Sequence, residues 1–346
     1  MAAPLGRLDS FPRAALGHLP TPLDALPNLS ADIGRRLFVK RDDCSGLALG
    51  GNKVRQLEFY LGEALAQQAD TILITGAVQS NFVRLAAAAA CKLGLACEVQ
   101  LEERVPGKGE TYRRSGNVLL DRLLGARIHS YPEGEDEVGA DRRINEIAEV
   151  LRAEGRRPYV IPLAPGHPPL GALGYVAAAR ELLAQSEDAG LDFDEIVVAS
   201  GSGHTHAGLL FGLRALGCGL RVTGNCVRRA AEVQHPRIVS RCQEIADLIE
   251  APNPVAEADV RLDDQDLAPG YGRLNPAVLE AVALAARREA LLLDPVYTGR
   301  TFATVLRRAA ALPEGARLLF IHTGGTPALF AYQEDLGADL SPAPSL

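Results

Sequence analysis

The chain lacks the features by which several large classes of protein are recognised. Its 346 residues include no tryptophan and one methionine, and no apolar run is long enough to cross a membrane as a helix. No lysine- or arginine-rich run occurs, and the net charge of −7 at pH 7 opposes binding to a phosphate backbone. We therefore expect neither a membrane nor a nucleic-acid partner.

Cysteine pairs and a secretion signal are also missing. The six cysteines are scattered, with no Cys-x-x-Cys spacing, and residues 1–13 carry charges but no apolar signal core. His204 and His206 stand two apart, His235 is distant, and no carboxylate or cysteine completes the spacing of a metal site. We expect a reduced, cytoplasmic protein without a bound metal.

What the chain does have is length and apolar content. With 346 residues, 47% of them hydrophobic, it can form a large core, and the length favours two domains. Residues 162–169 carry four prolines and one glycine, which is typical of a linker or crossing point between domains.

Short apolar runs alternate with helical periodicity almost throughout. This alternation predicts an α/β architecture with mostly parallel sheets, in which sites lie beyond the carboxyl ends of strands. The predicted strands are 37–39, 71–74, 98–101, 126–128, 159–161, 195–199, 220–224 and 318–321. The predicted helices are 54–69, 81–93, 115–124, 141–154, 171–185, 206–216, 230–249 with a break at Pro236, 276–289, 301–311 and 327–332. Residues 11–27 and 251–276 are predicted as loops, and the tail 340–346 as disordered.

A lysine lies at one of the predicted loop–helix junctions. The segment Gly50-Gly51-Asn52-Lys53 follows a strand and a polar turn and precedes an apolar helix. A solvated surface lysine is the commoner meaning of such a segment. However, a lysine beside glycines can be approached by a flat ligand, and lysine forms Schiff bases with pyridoxal phosphate (PLP).

A glycine loop between a buried strand and a helix predicts a phosphate site. In Ser200-Gly201-Ser202-Gly203-His204-Thr205, backbone N–H groups, hydroxyls and a helix N-terminus can surround an anion. The loop lacks the lysine of a Walker loop, the third glycine of a dinucleotide fingerprint and the glycine two residues before the serine of a hydrolase elbow. A nest for a single phosphate remains, with an ordinary strand–helix turn as the alternative.

Four further loops offer side chains to a planar ligand. Gln79-Ser80-Asn81 precedes a helix, so Ser80 is either a plain N-cap or part of a carboxylate or phenolate pocket. Tyr297 follows Pro295-Val296, and Tyr271 lies in a glycine-rich loop; either tyrosine could serve packing or face a ring. Thr323 stands before two glycines after the last predicted strand.

Taken together and in order, these loops resemble those of the D-cysteine desulfhydrase and 1-aminocyclopropane-1-carboxylate (ACC) deaminase family. That family belongs to the tryptophan-synthase-β-like PLP enzymes of fold type II. The resemblance spans about residues 8–332. It implies a two-domain α/β fold, with residues 1–54 and 163–346 in a larger PLP-binding domain and residues 55–162 in a smaller inserted domain, a small amino-acid substrate and a homodimer.

The resemblance also implies roles for individual residues. Lys53 would hold PLP covalently and later move the α-proton of the substrate. Ser80, with Gln79 and Asn81, would bind the substrate, and Tyr271 and Tyr297 would approach substrate and ring. The remaining cofactor contacts would come from the following residues: Asn52, Asn81, Ser200, Gly201, Ser202, Gly203, His204, Thr205 and Thr323.

Within that family, a few residues bear on the reaction. At the motif of residues 295–299, the ACC deaminases typically read Pro-Val-Tyr-Glu-Gly. This chain has Thr298 at the glutamate position, and Thr323 stands where those enzymes have a leucine. Neutral hydroxyls near the pyridine nitrogen favour α,β-elimination, from D-cysteine or L-cysteate, over opening of a cyclopropane ring. ACC deamination and PLP binding without turnover are the alternatives.

Other positions depart from the family or lie outside its motifs. Phe82 stands where the elimination enzymes have histidine, and His204 stands where glycine or alanine is commoner. Arg228 and Arg229 could reach an anionic substrate group such as a sulfonate, although a solvated helix start is the commoner meaning.

Overall fold

The computed structural model describes residues 4–163 and 166–337. Its strands are β1 Leu23–Ala25, β2 Arg36–Lys40, β3 Thr71–Ala77, β4 Ala96–Glu102, β5 Arg127–Tyr131, β6 Pro158–Ile161, β7 Glu195–Ser200, β8 Arg221–Cys226, β9 Arg261–Asp263 and β10 Arg317–Ile321. They form two open sheets. The larger has the order β1-β2-β10-β7-β8-β9 and the smaller the order β5-β4-β3-β6.

All strand pairs are parallel except the edge pair of β1 and β2. The central strands β3, β7 and β10 are almost wholly buried, as expected when helices cover both faces of a parallel sheet. The predicted α/β class with mostly parallel sheets is therefore confirmed.

Helices connect the strands within each sheet. Those that precede the last strand are α1 Pro27–Ile33, α2 Lys53–Ala66, α3 Asn81–Lys92, α4 Glu110–Arg114, α5 Gly116–Leu123, α6 Glu137–Ala153, α7 Leu173–Asp188, α8 His204–Ala215, α9 Ala231–Ile249, α10 Pro276–Glu289 and α11 Thr298–Ala311. Two short ones, α12 Ala328–Ala331 and α13 Gln333–Gly337, follow the last strand.

Three sequence predictions about the backbone were wrong. Helix α9 runs through Pro236 without a break, because Pro236 is exposed and water can serve the carbonyl group that the missing N–H leaves free. Residues 23–25, predicted as loop, form β1. This strand pairs only with β2 at the edge of the sheet, where nearby prolines are tolerated. The predicted loop 251–276 contains β9, which extends the sheet beside β8. The predicted disordered tail lies outside the described residues.

One continuous apolar core joins the helices on both sheets. Ile72 and Ile74 of β3 belong to the same cluster as buried apolar residues of α2, α3, β7, α8 and β10. A small second cluster around Leu73 and Ile144 packs α6 on the smaller sheet. None of the helices in the described residues has the length and apolar character that a membrane span requires.

Candidate active site

Lys53 stands at the first position of α2, in a turn that the rest of the fold holds firmly. The N–H of Asn52 donates to the carbonyl oxygen of Thr323 at 3.0 Å, which joins this turn to the end of β10. Two residues after Lys53, the fully buried Arg55 forms an ion pair with the fully buried Asp42 at 2.9 Å. Removing either partner of such a pair would leave an uncompensated buried charge, so the pair fixes the start of α2.

The amine of Lys53 differs from those of the other three lysines in the sequence. Lys40 binds Glu181, Lys108 binds Asp335 at 2.6 Å, and Lys92 donates to the carbonyl oxygen of Leu16 at 3.3 Å. The nearest acceptor to Lys53 is the Gln56 side chain at 3.5 Å, and the Nζ atom lies 4.9 Å from the centre of the Phe82 ring. Burial without a compensating anion lowers the pKa of Lys53 to about 8.

Lys53 faces a cavity between the two sheets, and the glycine loop after β7 lines another wall of it. Gly203 has φ = +97°, a conformation that favours glycine, and it turns the chain into α8. The first N–H groups of a helix have no partner within the helix, so the start of α8 can receive an anion.

The hydroxyl of Thr205 is oriented by two amides. Asn52 Nδ2 and Gln56 Nε2 donate to Thr205 Oγ1 at 2.8 and 3.0 Å. With both acceptor positions used, the hydroxyl proton is left to donate to a guest in the cavity. The neutral donors at this end of the cavity fit a phosphate group.

The loop residues do not all face the cavity. Gly201, Ser202, Gly203 and Thr205 line it, whereas Ser200 and His204 do not. Ser200 Oγ accepts a hydrogen bond from Gln234 Nε2 at 3.0 Å, on the opposite side of the loop. Burial lowers the pKa of His204 well below its usual value, so its ring is neutral. The loop side chains proposed to contact the phosphate therefore narrow to Ser202 and Thr205, and His204 can contribute only its backbone N–H at the start of α8.

The start of α3 forms a third wall of the cavity. Ser80 is its N-cap and accepts from the Val83 N–H at 3.2 Å, which leaves the hydroxyl proton of Ser80 free to donate. Asn117 Nδ2 donates to Asn81 Oδ1 at 2.9 Å, so the Nδ2 group of Asn81 is available to the cavity that this residue lines.

Gln79, proposed as a substrate contact, does not line the cavity. Its Nε2 donates to the carbonyl oxygen of Ser115 at 3.0 Å, and its Oε1 accepts from the Asn117 N–H at 2.9 Å. The role that this geometry supports is positioning of Asn117, and through it of Asn81.

The two tyrosines meet at another end of the cavity. The hydroxyl groups of Tyr271 and Tyr297 are 2.7 Å apart, and their rings pack edge to face with centres 6.0 Å apart. Burial raises the pKa of Tyr271, so its hydroxyl stays protonated at neutral pH. Arg104, which also lines the cavity, is paired with Glu102 at 2.7 Å.

Thr323 lines the cavity at the end of β10, as the sequence predicts, but Thr298 does not. The hydroxyl of Thr298 is engaged with Asp294, donating to its Oδ1 at 2.7 Å, and the N–H groups of Val296 and Tyr297 donate to the other carboxylate oxygen. Thr298 therefore shapes the loop that carries Tyr297. It does not present its hydroxyl to a ligand.

Gly324 explains how the two loops approach each other. It has φ = +89°, and a Cβ atom there would lie 2.6 Å from the Cα atom of Gly51. Only glycine at both positions lets the turn before Lys53 pack on the turn after Thr323.

Several residues that line the cavity or brace its walls carried no signal in the sequence. Asn117 and Arg104 follow no motif, and Glu137 and Arg237 lie on helices far apart in the chain. Arg84 is also unexpected: it is fully buried, donates to the carbonyl oxygen of Gly50 at 3.1 Å and to Asn117 Oδ1 at 3.1 Å, and so braces both the glycine turn and Asn117. Arginines on an alanine-rich helix are usually solvated, so only the fold reveals this one.

A half-buried lysine without a carboxylate partner, near a helix start that can receive a phosphate and near the amide of Asn81 and the hydroxyl of Ser80, fits PLP. Similarity to known proteins supports the same cofactor. The family model described as pyridoxal-phosphate dependent enzyme matches residues 14–324, so the chain belongs to this family and its cofactor is PLP. This confirms the cofactor that the sequence predicts.

Two similar proteins within this family are D-cysteine desulfhydrases. D-cysteine desulfhydrase of Salmonella typhi is 44% identical over 331 residues, which cover 95% of this chain and 98% of that protein. D-cysteine desulfhydrase of Klebsiella pneumoniae is 43% identical over 334 residues, covering 96% and 99%. The resemblance stated from the motifs is confirmed by these relatives.

Solved structures show the same fold. The crystal structure of an ACC deaminase homologue has a TM-score of 0.86 and 40% sequence identity, covering 98% of this chain and 99% of that one. O-ureido-L-serine synthase has a TM-score of 0.68 at 20% identity, covering 98% and 97%. At 20% identity, this similarity supports a shared fold but not a shared function. Fold type II is thereby confirmed.

Proposed function

We propose that the protein is a PLP-dependent lyase that performs α,β-elimination on a small amino acid with a sulfur substituent at the β-carbon, such as D-cysteine or L-cysteate. The observation that carries the proposal is Lys53. Its amine has no carboxylate or backbone carbonyl partner, only the Gln56 side chain at 3.5 Å, and it faces a cavity whose walls offer donors to a phosphate and to a carboxylate. The full-length similarity to D-cysteine desulfhydrases supports the same reaction.

Lys53 is the residue proposed to move the proton. When bound, PLP withdraws electrons from the α-carbon of the amino acid attached to it. A lysine whose pKa is near 8 is partly neutral at physiological pH, so its Nζ can accept the α-proton. Phe82 lies beneath this amine and keeps water and anions away from that side.

Ser80 and the first N–H groups of α3 are proposed to hold the substrate carboxylate, which fixes the α-proton near Lys53. Tyr271 and Tyr297 are proposed to face the β-substituent with neutral hydroxyl groups. The bond between Cβ and sulfur breaks with its electron pair on sulfur. The 2-aminoacrylate that is released takes up one water molecule and yields pyruvate and ammonia.

A test follows from these products. The purified holoenzyme should release pyruvate, ammonia and sulfide in equal amounts from D-cysteine, or pyruvate, ammonia and sulfite from L-cysteate. A panel of D- and L-amino acids with β leaving groups, read out as keto-acid release, measures this. Release from none of them, with PLP bound, would leave the non-catalytic alternative and contradict the proposal.

ACC deamination to 2-oxobutyrate is the second candidate, and the ACC deaminase homologue among the solved structures favours testing it. Thr323, which lines the cavity at the end of β10 and has a neutral hydroxyl, speaks against it. Assaying ACC beside D-cysteine separates the two reactions. Faster 2-oxobutyrate release from ACC than pyruvate release from D-cysteine would replace the proposal.

The domain boundaries, the assembly and the location are part of the same proposal. Residues 1–54 and 163–346 are proposed as the larger PLP-binding unit and 55–162 as the smaller one, in agreement with the strands of the two sheets. The family resemblance supports a homodimer, and the six free cysteines fit a reducing cytoplasm. Light scattering on the purified protein would reveal a monomer if the assembly is wrong.

A further inference from the structure

An arginine cluster lines the cavity beside the tyrosine pair. It consists of Arg228 and Arg229 after β8, Arg237 on α9, and Glu137 in the first turn of α6. Arg228 Nη1 lies 2.7 Å from Glu137 Oε1, Arg237 lies 3.4 Å from Glu137 Oε2, and Arg229 Nη2 also donates to Glu137. One carboxylate from the smaller sheet thus holds three guanidinium groups from the larger one.

The charges in this cluster do not balance. The side chains of Arg228 and Arg229 are 7% and 14% exposed, so they are not the solvated helix start that the sequence favours. Besides Glu137, the cluster has Glu135, which is 75% exposed and therefore compensates weakly. Two of the three buried or half-buried positive charges have no fully effective partner, and burying unpaired charge is costly unless a ligand completes the site.

Donor groups are left over as well. Arg229 uses Nη2 for Glu137, and neither its Nε nor its Nη1 has a hydrogen-bond partner in the described residues. Arg228 Nε is buried and also lacks a partner among them. Burial and the neighbouring Arg228 lower the pKa of Arg229 to about 10, which is the response expected of a cation crowded by other cations.

The position of the cluster indicates which ligand group it meets. The cofactor phosphate has its own neutral donors at residues 201–205. A Cβ atom on Gly201 would lie 3.3 Å from Val227 Cγ2 and 3.8 Å from Tyr297 Cε1, so the chain that leads into Arg228 passes beside Tyr297. Arg228 also acts to lower the pKa of Tyr271 against the effect of burial. The proposed function places the β-substituent of the substrate at this tyrosine pair. This step depends on the proposed function.

We infer that Arg228, Arg229 and Arg237 form an anion subsite that receives an oxyanion on the β-carbon of the amino-acid substrate. The preferred substrate is then an alanine whose β-substituent is a sulfonate or a phosphate ester, and not one with a neutral thiol. Glu137 is the resident anion that keeps the arginines in place between turnovers. In the reaction the oxyanion leaves with the electron pair of its bond to Cβ, as sulfite from the sulfonate or as phosphate from the ester, and the α-proton goes to Lys53.

The test compares charged and neutral leaving groups on the holoenzyme. Keto-acid release is measured for both enantiomers of cysteate, O-phosphoserine, cysteine and β-chloroalanine, with wild type and Arg229→Gln. The variant should lower kcat/KM for the oxyanion substrates by about 10- to 100-fold, the value of a charge-assisted hydrogen bond, and change it for β-chloroalanine by less than about threefold. Cysteate and O-phosphoserine together show which oxyanion the site prefers.

Three controls make the result interpretable. Arg229→Lys keeps the charge and should recover most of the loss through a lower KM. Arg142→Gln removes a charge from the exposed face of α6 and should match wild type for every substrate. PLP affinity, measured by absorbance titration of the apo-proteins, should be the same in wild type and Arg229→Gln.

Two outcomes would overturn the inference. Equal losses for all substrates together with weaker PLP binding would assign the cluster to the cofactor phosphate. Wild-type turnover of β-chloroalanine or cysteine without turnover of any oxyanion substrate would show that no such subsite operates. If the wild type releases keto acid from none of the substrates, the proposed lyase function itself fails, and the inference fails with it.

Discussion

The two ends of the cavity offer an anion different kinds of donor. At the phosphate end, the donors are backbone N–H groups at the start of α8 and the Thr205 hydroxyl, and no charged side chain hydrogen-bonds to Thr205. At the other end, three arginines surround the single carboxylate of Glu137. A cofactor that stays bound suits fixed neutral donors, which need no counterion when the fold forms. A substrate group that binds and leaves suits charged donors that a resident carboxylate compensates in its absence.

The largest effect expected at the phosphate end comes from Lys53→Ala. Without the amine, PLP loses its covalent attachment and the substrate loses its proton acceptor, so kcat for keto-acid release should fall by about 10⁴-fold. Lys92→Ala, at the exposed end of α3, is the matched control and should behave as wild type. Substantial turnover by Lys53→Ala would contradict the role given to this residue.

The second-largest expected effect is the change with pH in the rate at which the apo-protein takes up PLP. The attacking form of lysine is neutral, so raising the pH from 6 to 9 through a pKa of about 8 should accelerate PLP incorporation into apo-protein by about 100-fold, with a plateau above pH 8 to 9. The rate for N-acetyl-lysine, whose pKa is ordinary, should keep rising toward pH 10. The same late rise in the protein would mean that Lys53 is solvated.

Thr205→Val tests whether neutral donors suffice for the phosphate. The substitution keeps the shape but removes the hydroxyl proton and the acceptor for Asn52 and Gln56, so the Kd for PLP should rise by about tenfold or more. Thr205→Ser restores both functions and should stay near wild type. An unchanged Kd in Thr205→Val, measured by absorbance titration, would move the phosphate elsewhere.

A smaller effect is expected from added salt, and it should separate the two ends. Raising ionic strength from 0.05 to 0.5 M screens partly exposed charges, so KM for an oxyanion substrate should increase by about two- to fivefold. KM for β-chloroalanine should change by much less. Equal sensitivity of both substrates to salt would remove the distinction between a charged and a neutral end.

The two ends also differ in how far the sequence predicts them. The phosphate end is built from contiguous segments, because a strand, a glycine turn and a helix start place Gly201, Gly203 and Thr205 together by local chain geometry. The same holds for Lys53 and Ser80, each at the start of a helix. Local chemistry therefore predicts these positions, together with the α/β class.

The arginine cluster has no such local signature. Glu137 and Arg228 are brought together only by the packing of α6 against the segment after β8, which depends on how the two sheets face each other. Asn117 likewise acquires its importance from a single contact with Asn81. Gln79 and Ser200 show the opposite case: they lie inside motifs, but their side chains turn away because Asn117 and Gln234 offer better-buried partners.

Reduction of the purified yellow holoenzyme with borohydride fixes PLP to the nitrogen that holds it, and peptide mass mapping then identifies the residue. The chain has four lysines, so the outcome is unambiguous. We predict that the pyridoxyl mass appears on the peptide containing Lys53 and on no other. An adduct on Lys40, Lys92 or Lys108, or none on Lys53 in a protein that carries PLP, would contradict the active site described above.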